Sequence, residues 1–350
     1  CRDLEDVREM DITTCYASVA GTKKHVGTSF SFPENVNEAL QMLHLIAGNE
    51  DAWRARPFVS MSVCHVVPPM KFAEDASACL EAGVKGGMPI LLLSAGQAGA
   101  TSPATLASCV VQAVAEVLAG LVYVNAIKEG APAIFGAWPF VSDLRTGAMS
   151  GGSGEQAVLM AACGQMAQFY NLPSGIAAGM TDSKIPDAQS GYEKGYTVTL
   201  AGHSGANLVY ESAGMHASLL GCCLESYVID NDMLGAINRT VRGIEVNAET
   251  LSLGPIRDVC LDGPGHYLGH EQTLKRMQTD YLYPTVGDRE NINNWIEQGS
   301  TDSIQRAHLK VKEILKTHFP KHWDEATDEK IRGQFPVRLP RNRMQIPEIS

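Results

Sequence analysis

Residues 179–195, GMTDSKIPDAQSGYEKG, place two aspartates, two lysines and a proline between an apolar run and a helical pattern. Asp182 and Asp187 are hard oxygen donors of the kind that hold a divalent cation. Asp187, however, follows Pro186 at a helix start, where a carboxylate favours the positive end of the dipole, so it reads as a helix-opening residue. Asp182 falls just beyond an apolar run, where barrel enzymes keep working residues, and it stays a catalytic candidate. A phosphate cradle is excluded, because GMTDSK lacks the second glycine of G-x-x-x-x-G-K-[ST].

A second stretch, DGPGHYLGHEQT at 262–273, sets His266 and His270 four apart. On a helix that spacing makes a metal pair, but Pro264 and Gly265 argue for a loop and a short strand, and no H-E-x-x-H is present. Either the histidines are hydrogen-bonded parts of a glycine turn, or one of them meets a substrate carboxylate or a docking partner. Trp138, Phe140, Tyr210 and Tyr267 lie near the ends of apolar runs. They are core side chains or, gathered at one mouth, a cage for a quaternary ammonium through cation–π attraction. Glu211, beside Tyr210, would balance that charge. Ser204 lacks the G-x-S-x-G context of a nucleophilic serine.

The elements that must position these residues follow a rhythm. PFVSMSVCHVV (57–67), MPILLLSAGQAGA (88–100), APAIFGAWPF (131–140), LPSGIAAGMTDSK (172–184), ANLVYESAG (206–214) and HYLGHEQTL (266–274) read as six strands, the first five each leading into a helical pattern. Strand-helix units in series predict a parallel sheet, and runs apolar throughout predict strands buried on both faces. An open dinucleotide-binding sheet requires G-x-G-x-x-G after its first strand, and no strand here is followed by it. The runs end instead in small and polar residues, among them Ser94, Gly96 and Gln97, then Thr181 and Asp182, then Glu211 and Ser212. Loops converging on one site favour an α/β fold of the TIM (β/α)8 barrel type. The stretch 11–48 is expected to add a strand or hairpin and a helix starting near Pro33 to Asn35. From 284 onward the chain is polar, helical and then proline-rich, with RAHLKVKEILKTHF amphipathic. The expected division is therefore a barrel domain at 1–283 and a C-terminal helical extension at 284–350. The extension reads as packing and assembly surface, which predicts a homo-oligomer. Cys1 in place of a starting Met predicts a truncated N-terminus.

Composition bounds the function. A 350-residue chain with 45% hydrophobic and 19% charged residues can bury a large core. Its net charge of −11 and lack of a clustered basic patch argue against a nucleic-acid partner. The nine cysteines show neither C-x-x-C pairs nor zinc-finger spacing, so they read as thiols in a reducing cytoplasm. No signal peptide is visible, and no apolar run approaches the roughly 18 residues of a membrane span, so no membrane association is expected.

Three runs read together, GMTDSKIPDAQSGYEK, GANLVYESAGMHASLLGCCLESYVIDNDMLGAINRTVRGIEV and GPGHYLGHEQTL, resemble the trimethylamine methyltransferase family. The resemblance extends from about Gly27 to the helix near Gly333, and family members usually begin further upstream. It implies a TIM barrel that moves a methyl group from a methylated amine to Co(I) of a separate, cognate corrinoid protein, with no cofactor tightly bound to the barrel itself. Archaeal trimethylamine enzymes of the family carry pyrrolysine. This chain shows none, and in that respect is similar to the glycine betaine:corrinoid methyltransferases, which use quaternary amines. By this resemblance Asp182 and Glu211 are the catalytic candidates near the cation, with Trp138, Gln97, Tyr210, His266 and His270 as substrate contacts and no metal ligand. The rival readings are a metal-dependent barrel lyase or hydrolase using Asp182, His266 and His270, and a betaine binder without catalysis.

Overall fold

The protein is described by a computed structural model covering residues 3–261 and 263–344. Six parallel strands form its centre: β1 (Val26–Thr28), β2 (Val59–Val63), β3 (Ile90–Ser94), β4 (Ala133–Ala137), β5 (Gly175–Ala177) and β6 (Leu208–Tyr210). Helix α1 (Val7–Ala20) precedes them. The crossovers carry α2 (Pro33–Ala47), α3 (Glu50–Ala55), α4 (Glu74–Lys85), α5 (Leu106–Ile127), α6 (Gly154–Phe169) and α7 (Ala188–His203), and α8 (Leu224–Arg242) follows β6. Pro33 stands at the first turn of α2, where its missing N–H costs no helical bond.

Strand order equals chain order. Val26 pairs with Val59, Met61 with Ile90, Ile90 with Ala133, and Gly175 with Leu208. A parallel bridge between Phe135 and Ser174 joins β4 to β5. The central strands bury both faces, as Leu91, Leu92 and Phe135 show, which is why their sequences do not alternate. The wall is curved. A Cβ added to Gly27 of β1 would lie 3.6 Å from Cε1 of Tyr210 on β6, so the first and last strands meet side chain to backbone across the interior. Among the described residues no ladder joins β6 to β1, and the observed architecture is a curved parallel wall of six βα units.

Two expectations are corrected. The stretch 266–274 is not a strand: His270 caps α10 (Glu271–Thr279), and Leu268 and Leu274 are exposed. A polar run opened by a capping side chain makes a better helix than a strand with no neighbour to pair with. The sixth strand is β1, from the stretch 11–48. Asp262 lies outside the described residues. The second correction concerns α5, whose 22 residues are long and apolar enough, by length and composition, to cross a membrane, with a mean hydropathy of 1.8. In the fold α5 packs on β3 and β4 and holds Glu116 buried.

Beyond α8 come α9 (Leu253–Cys260), α10, α11 (Ile292–Glu297), α12 (Ser303–Thr317) and α13 (Glu325–Gln334). Helix α12 packs along α8, and α13 returns to α2, with Ile331 and Phe335 buried in the same core as Ile12 and Leu43.

Candidate functional site

The carboxyl ends of β3 to β6 gather five of the seven sequence-chosen residues. Gln97 opens a two-residue strand, Gln97–Ala98, paired parallel to Phe140–Val141 just beyond β4, and its carbonyl lies 3.3 Å from the Ser142 hydroxyl. Trp138 follows β4 and is buried. Its backbone N–H donates to Ser94 O at 2.8 Å, and its indole N–H donates to Gly175 O at 2.6 Å. Because Ser174 pairs with Phe135, Gly175 sits below Trp138, and the indole therefore points down into the interior. Its ring lies 5.5 Å from that of Tyr210 and 6.5 Å from that of Phe140. Gly175 has no substitute here, since a Cβ would come within 2.7 Å of the Tyr210 ring. Burial pushes the Tyr210 phenol up. The aromatic residues thus form a packed floor beneath the strand ends.

Glu211 follows directly. Its φ of +61° is in the left-handed region, which strains a residue with a side chain and is met most often at functional sites. Burial raises its carboxyl above the ordinary glutamate range, and among the described residues its carboxylate makes no hydrogen bond or ion pair. Ala217 and Ser218, at φ of +48° and +60°, strain the same loop again.

Asp182 is saturated. Its carboxylate accepts from the Ser150 hydroxyl at 2.6 Å and the Ser218 hydroxyl at 2.7 Å, with Gly152 N at 3.4 Å. These partners come from the loops after β4 and β6, while Asp182 belongs to the loop after β5. It therefore ties three loops together. Asp187 accepts from Ser190 N at 2.9 Å as the N-cap of α7, as its sequence position predicts.

His266 and His270 are placed elsewhere. His266 is exposed in the turn before α10, and the His270 ring accepts from Gln272 N at 3.1 Å. The far end of α10 is held by Arg239 and Arg242 in the last turn of α8, donating to Asp280 O at 2.8 Å and 3.2 Å. The strand-end loops meet α8 at its first turn instead, where the His216 ring lies 2.6 Å from the Ser226 hydroxyl. Among the described residues no group of three or more His, Cys, Asp or Glu is arranged for a metal, so the triad of Asp182, His266 and His270 is not assembled.

Four buried charged residues beneath the loops, Glu193, Lys194, Asp230 and Glu116, escape sequence reading. Glu193 of α7 is buried and accepts from the Thr181 hydroxyl at 2.5 Å and Asp182 N at 2.8 Å. Lys194, fully buried, reaches Asp230 of α8 at 2.7 Å. Glu116 accepts from Ser94 at 2.5 Å and from Met70 N at 2.8 Å, pinning the hairpin of Val66–Val67 and Lys71–Phe72 that follows β2. His216, in the hairpin after β6, lies 2.6 Å from the Ser226 hydroxyl, and burial lowers its pKa. The only sequence signal for this layer is charged residues on helices directly after strand-end loops.

Fold and site together define an α/β protein of parallel βα units whose polar groups and aromatic rings collect at the carboxyl ends of its strands. The family model described as trimethylamine methyltransferase (MTTB) matches residues 2–340, and the chain belongs to that family. It is 34% identical over 312 residues to trimethylamine methyltransferase MttB of Desulfitobacterium hafniense (strain DSM 10664 / DCB-2), covering 89% of this chain and 62% of that protein. It is 30% identical over 334 residues to glycine betaine methyltransferase of Desulfitobacterium hafniense (strain Y51), covering 95% and 68%. Against trimethylamine methyltransferase MttB of Methanosarcina barkeri (strain Fusaro / DSM 804) the identity is 34% over 319 residues, covering 91% and 63%. The chain thus spans a little under two thirds of the length of both MttB relatives.

Proposed function

We propose that this protein moves a methyl group from a quaternary amine such as glycine betaine to the Co(I) corrinoid of a cognate partner protein in the cytoplasm. In this reading the six βα units belong to a (β/α)8 barrel whose mouth is the strand-end site. Family membership supports methyl transfer, and relatives named for trimethylamine and for glycine betaine both support a methylated amine. The observation that carries the choice of a quaternary cation is Glu211, a strained, partly buried carboxylate with no hydrogen bond or ion pair among the described residues, next in sequence to the Tyr210 ring that packs on Trp138.

The chemistry fits a site of this kind. The cobalt nucleophile supplies an electron pair to the methyl carbon, the C–N bond breaks, and its pair leaves on nitrogen as a neutral tertiary amine. No proton has to be delivered to the leaving group. The protein must bind the cation, exclude water and hold one N–CH3 bond in line with the incoming nucleophile. Glu211 balances the cation, and the rings of Trp138 and Tyr210 supply polarisable, apolar surface. Gln97, whose carbonyl faces the Ser142 hydroxyl, keeps its amide N–H groups for a betaine carboxylate. Asp182 contributes by fixing the loops.

The test mixes the purified protein with a reduced corrinoid protein and glycine betaine and follows the methyl-Co(III) absorbance band. Methylation with glycine betaine but not trimethylamine is the expected result. Amine binding without methyl transfer from any quaternary amine would leave the binder reading in its place.

A further inference from the structure

The loop that carries Glu211 is held from below by a buried ion pair. Asp230 Oδ2 lies 2.7 Å from Lys194 Nζ and accepts from the backbone N–H of Gly214 at the same distance. Lys194 is 0% and Asp230 4% exposed. Gly214 is the third residue after Glu211 and also has positive φ, at +79°, with Tyr227 packed so closely that a Cβ would come within 2.5 Å of its ring. The turn 211–214 is thus left-handed at both ends; at its far end the Gly214 N–H goes to one oxygen of Asp230, while Gly214 O accepts from Cys223 N at 3.3 Å where the hairpin begins. A buried ion pair is weak evidence for stability, because desolvating both charges offsets most of their attraction, and apolar residues of similar volume often serve the fold as well. What an apolar pair cannot do is accept the Gly214 N–H.

We propose that Asp230, charge-balanced by Lys194, is a positioning residue that holds the Gly214 end of the turn and so fixes Glu211 for the cation. This rests on the reading of Glu211 given above. Lys194 spans from α7 and Asp230 from α8, so the two helices after β5 and β6 jointly set the position of one strand-end carboxylate. Lys194 is the buried ion-pair partner of Asp230, and Asp230 offers an acceptor where the turn needs one.

Two double variants separate the acceptor from the charges. Lys194→Met with Asp230→Asn removes both charges and keeps an oxygen for Gly214. Lys194→Met with Asp230→Leu removes both charges and the acceptor at similar volume. Calorimetric titration with glycine betaine is expected to give the Asn double variant a Kd within about twofold of the parent and the Leu double variant a Kd about tenfold weaker, the size of one lost positioning hydrogen bond. Equal binding by the two double variants overturns the inference. Should the Leu variant fail to fold, Gly214→Ala displaces the same turn without touching the ion pair, and unchanged binding there overturns it equally. Glu211→Gln is measured alongside. Adding it to the Leu double variant is expected to weaken binding no further than Glu211→Gln does alone, because both act through one carboxylate. If Glu211→Gln binds as the parent does, or the parent binds no glycine betaine, the reading of Glu211 fails and this inference with it. If Glu211→Gln weakens binding and the two double variants do not differ, only the positioning role fails.

Discussion

Glu211 is under two opposed demands, and they can be measured apart. Its carboxyl is raised by burial, so the folded state prefers the protonated form. That preference favours folding below the unfolded value of about 4.3 and is lost as pH rises through the raised value, so at pH 7 the ionised group weighs against the fold. Glu211→Gln is therefore expected to raise the urea midpoint at pH 7, with the gain vanishing below about pH 4. The same change removes the counter-charge for a cation, and glycine betaine affinity is expected to fall about tenfold, on the order of 1.4 kcal/mol. In the parent protein affinity should fall with pH through the raised glutamate value. A variant both less stable at neutral pH and unchanged in amine affinity would show that Glu211 is an ordinary structural carboxylate.

At the scale of elements, Asp182 is the knot between three strand-end loops, through Ser150, Gly152 and Ser218. Asp182→Ala leaves the Ser150 hydroxyl and the Gly152 amide without their acceptor and turns the Ser218 hydroxyl to Met149 O at 2.9 Å, a loss on the order of 1–3 kcal/mol, whereas Asp182→Asn keeps one oxygen and lets the hydroxyls rotate to accept. Hydrogen exchange should accelerate at 149–153 and 214–218 in the Ala variant and change little in the Asn variant. Unaltered protection in the Ala variant would dissociate Asp182 from loop closure. The strand ends that carry Gln97, Trp138, Asp182, Tyr210 and Glu211 were legible because buried parallel strands are short apolar runs and their polar residues mark where each run stops. The layer beneath was not legible. Glu193 and Lys194 stand side by side in YEKG, a pattern that ordinarily lies on a solvated helix face, and only the crossing of α8 over α7 brings Asp230 to Lys194. HYLGHEQTL misled for the converse reason: its apolar residues have no sheet to enter, and His270 starts a helix.

At the scale of the whole molecule, the C-terminal helices close onto the first one. Ile331 and Phe335 enter the central core, Thr13 accepts Arg338 N at 3.0 Å, and the Arg332 guanidinium lies 5.1 Å from the centre of the Tyr16 ring. Asp328 is the node. It accepts from the Tyr16 hydroxyl, from Arg332 Nε at 2.9 Å and from Arg341 Nε at 2.9 Å. Burial alone would raise its carboxyl, but the three donors outweigh it and hold Asp328 below the ordinary aspartate range, while burial and that same bond push the Tyr16 phenol up to about 12. A depressed aspartate contributes stability above its unfolded value of about 3.9 and loses it as pH falls through the folded value. Asp328→Asn, which removes the anion shared by Arg332 and the half-exposed Arg341, is expected to cost roughly 1–2 kcal/mol at pH 7. Because the parent protein gives up the same interaction on acidification, the urea midpoints of parent and variant should converge as pH is lowered below about 4. Two curves that stay parallel to the lowest pH at which both fold would mean that the charge on Asp328 does not hold the tail, leaving that work to Ile331 and Phe335.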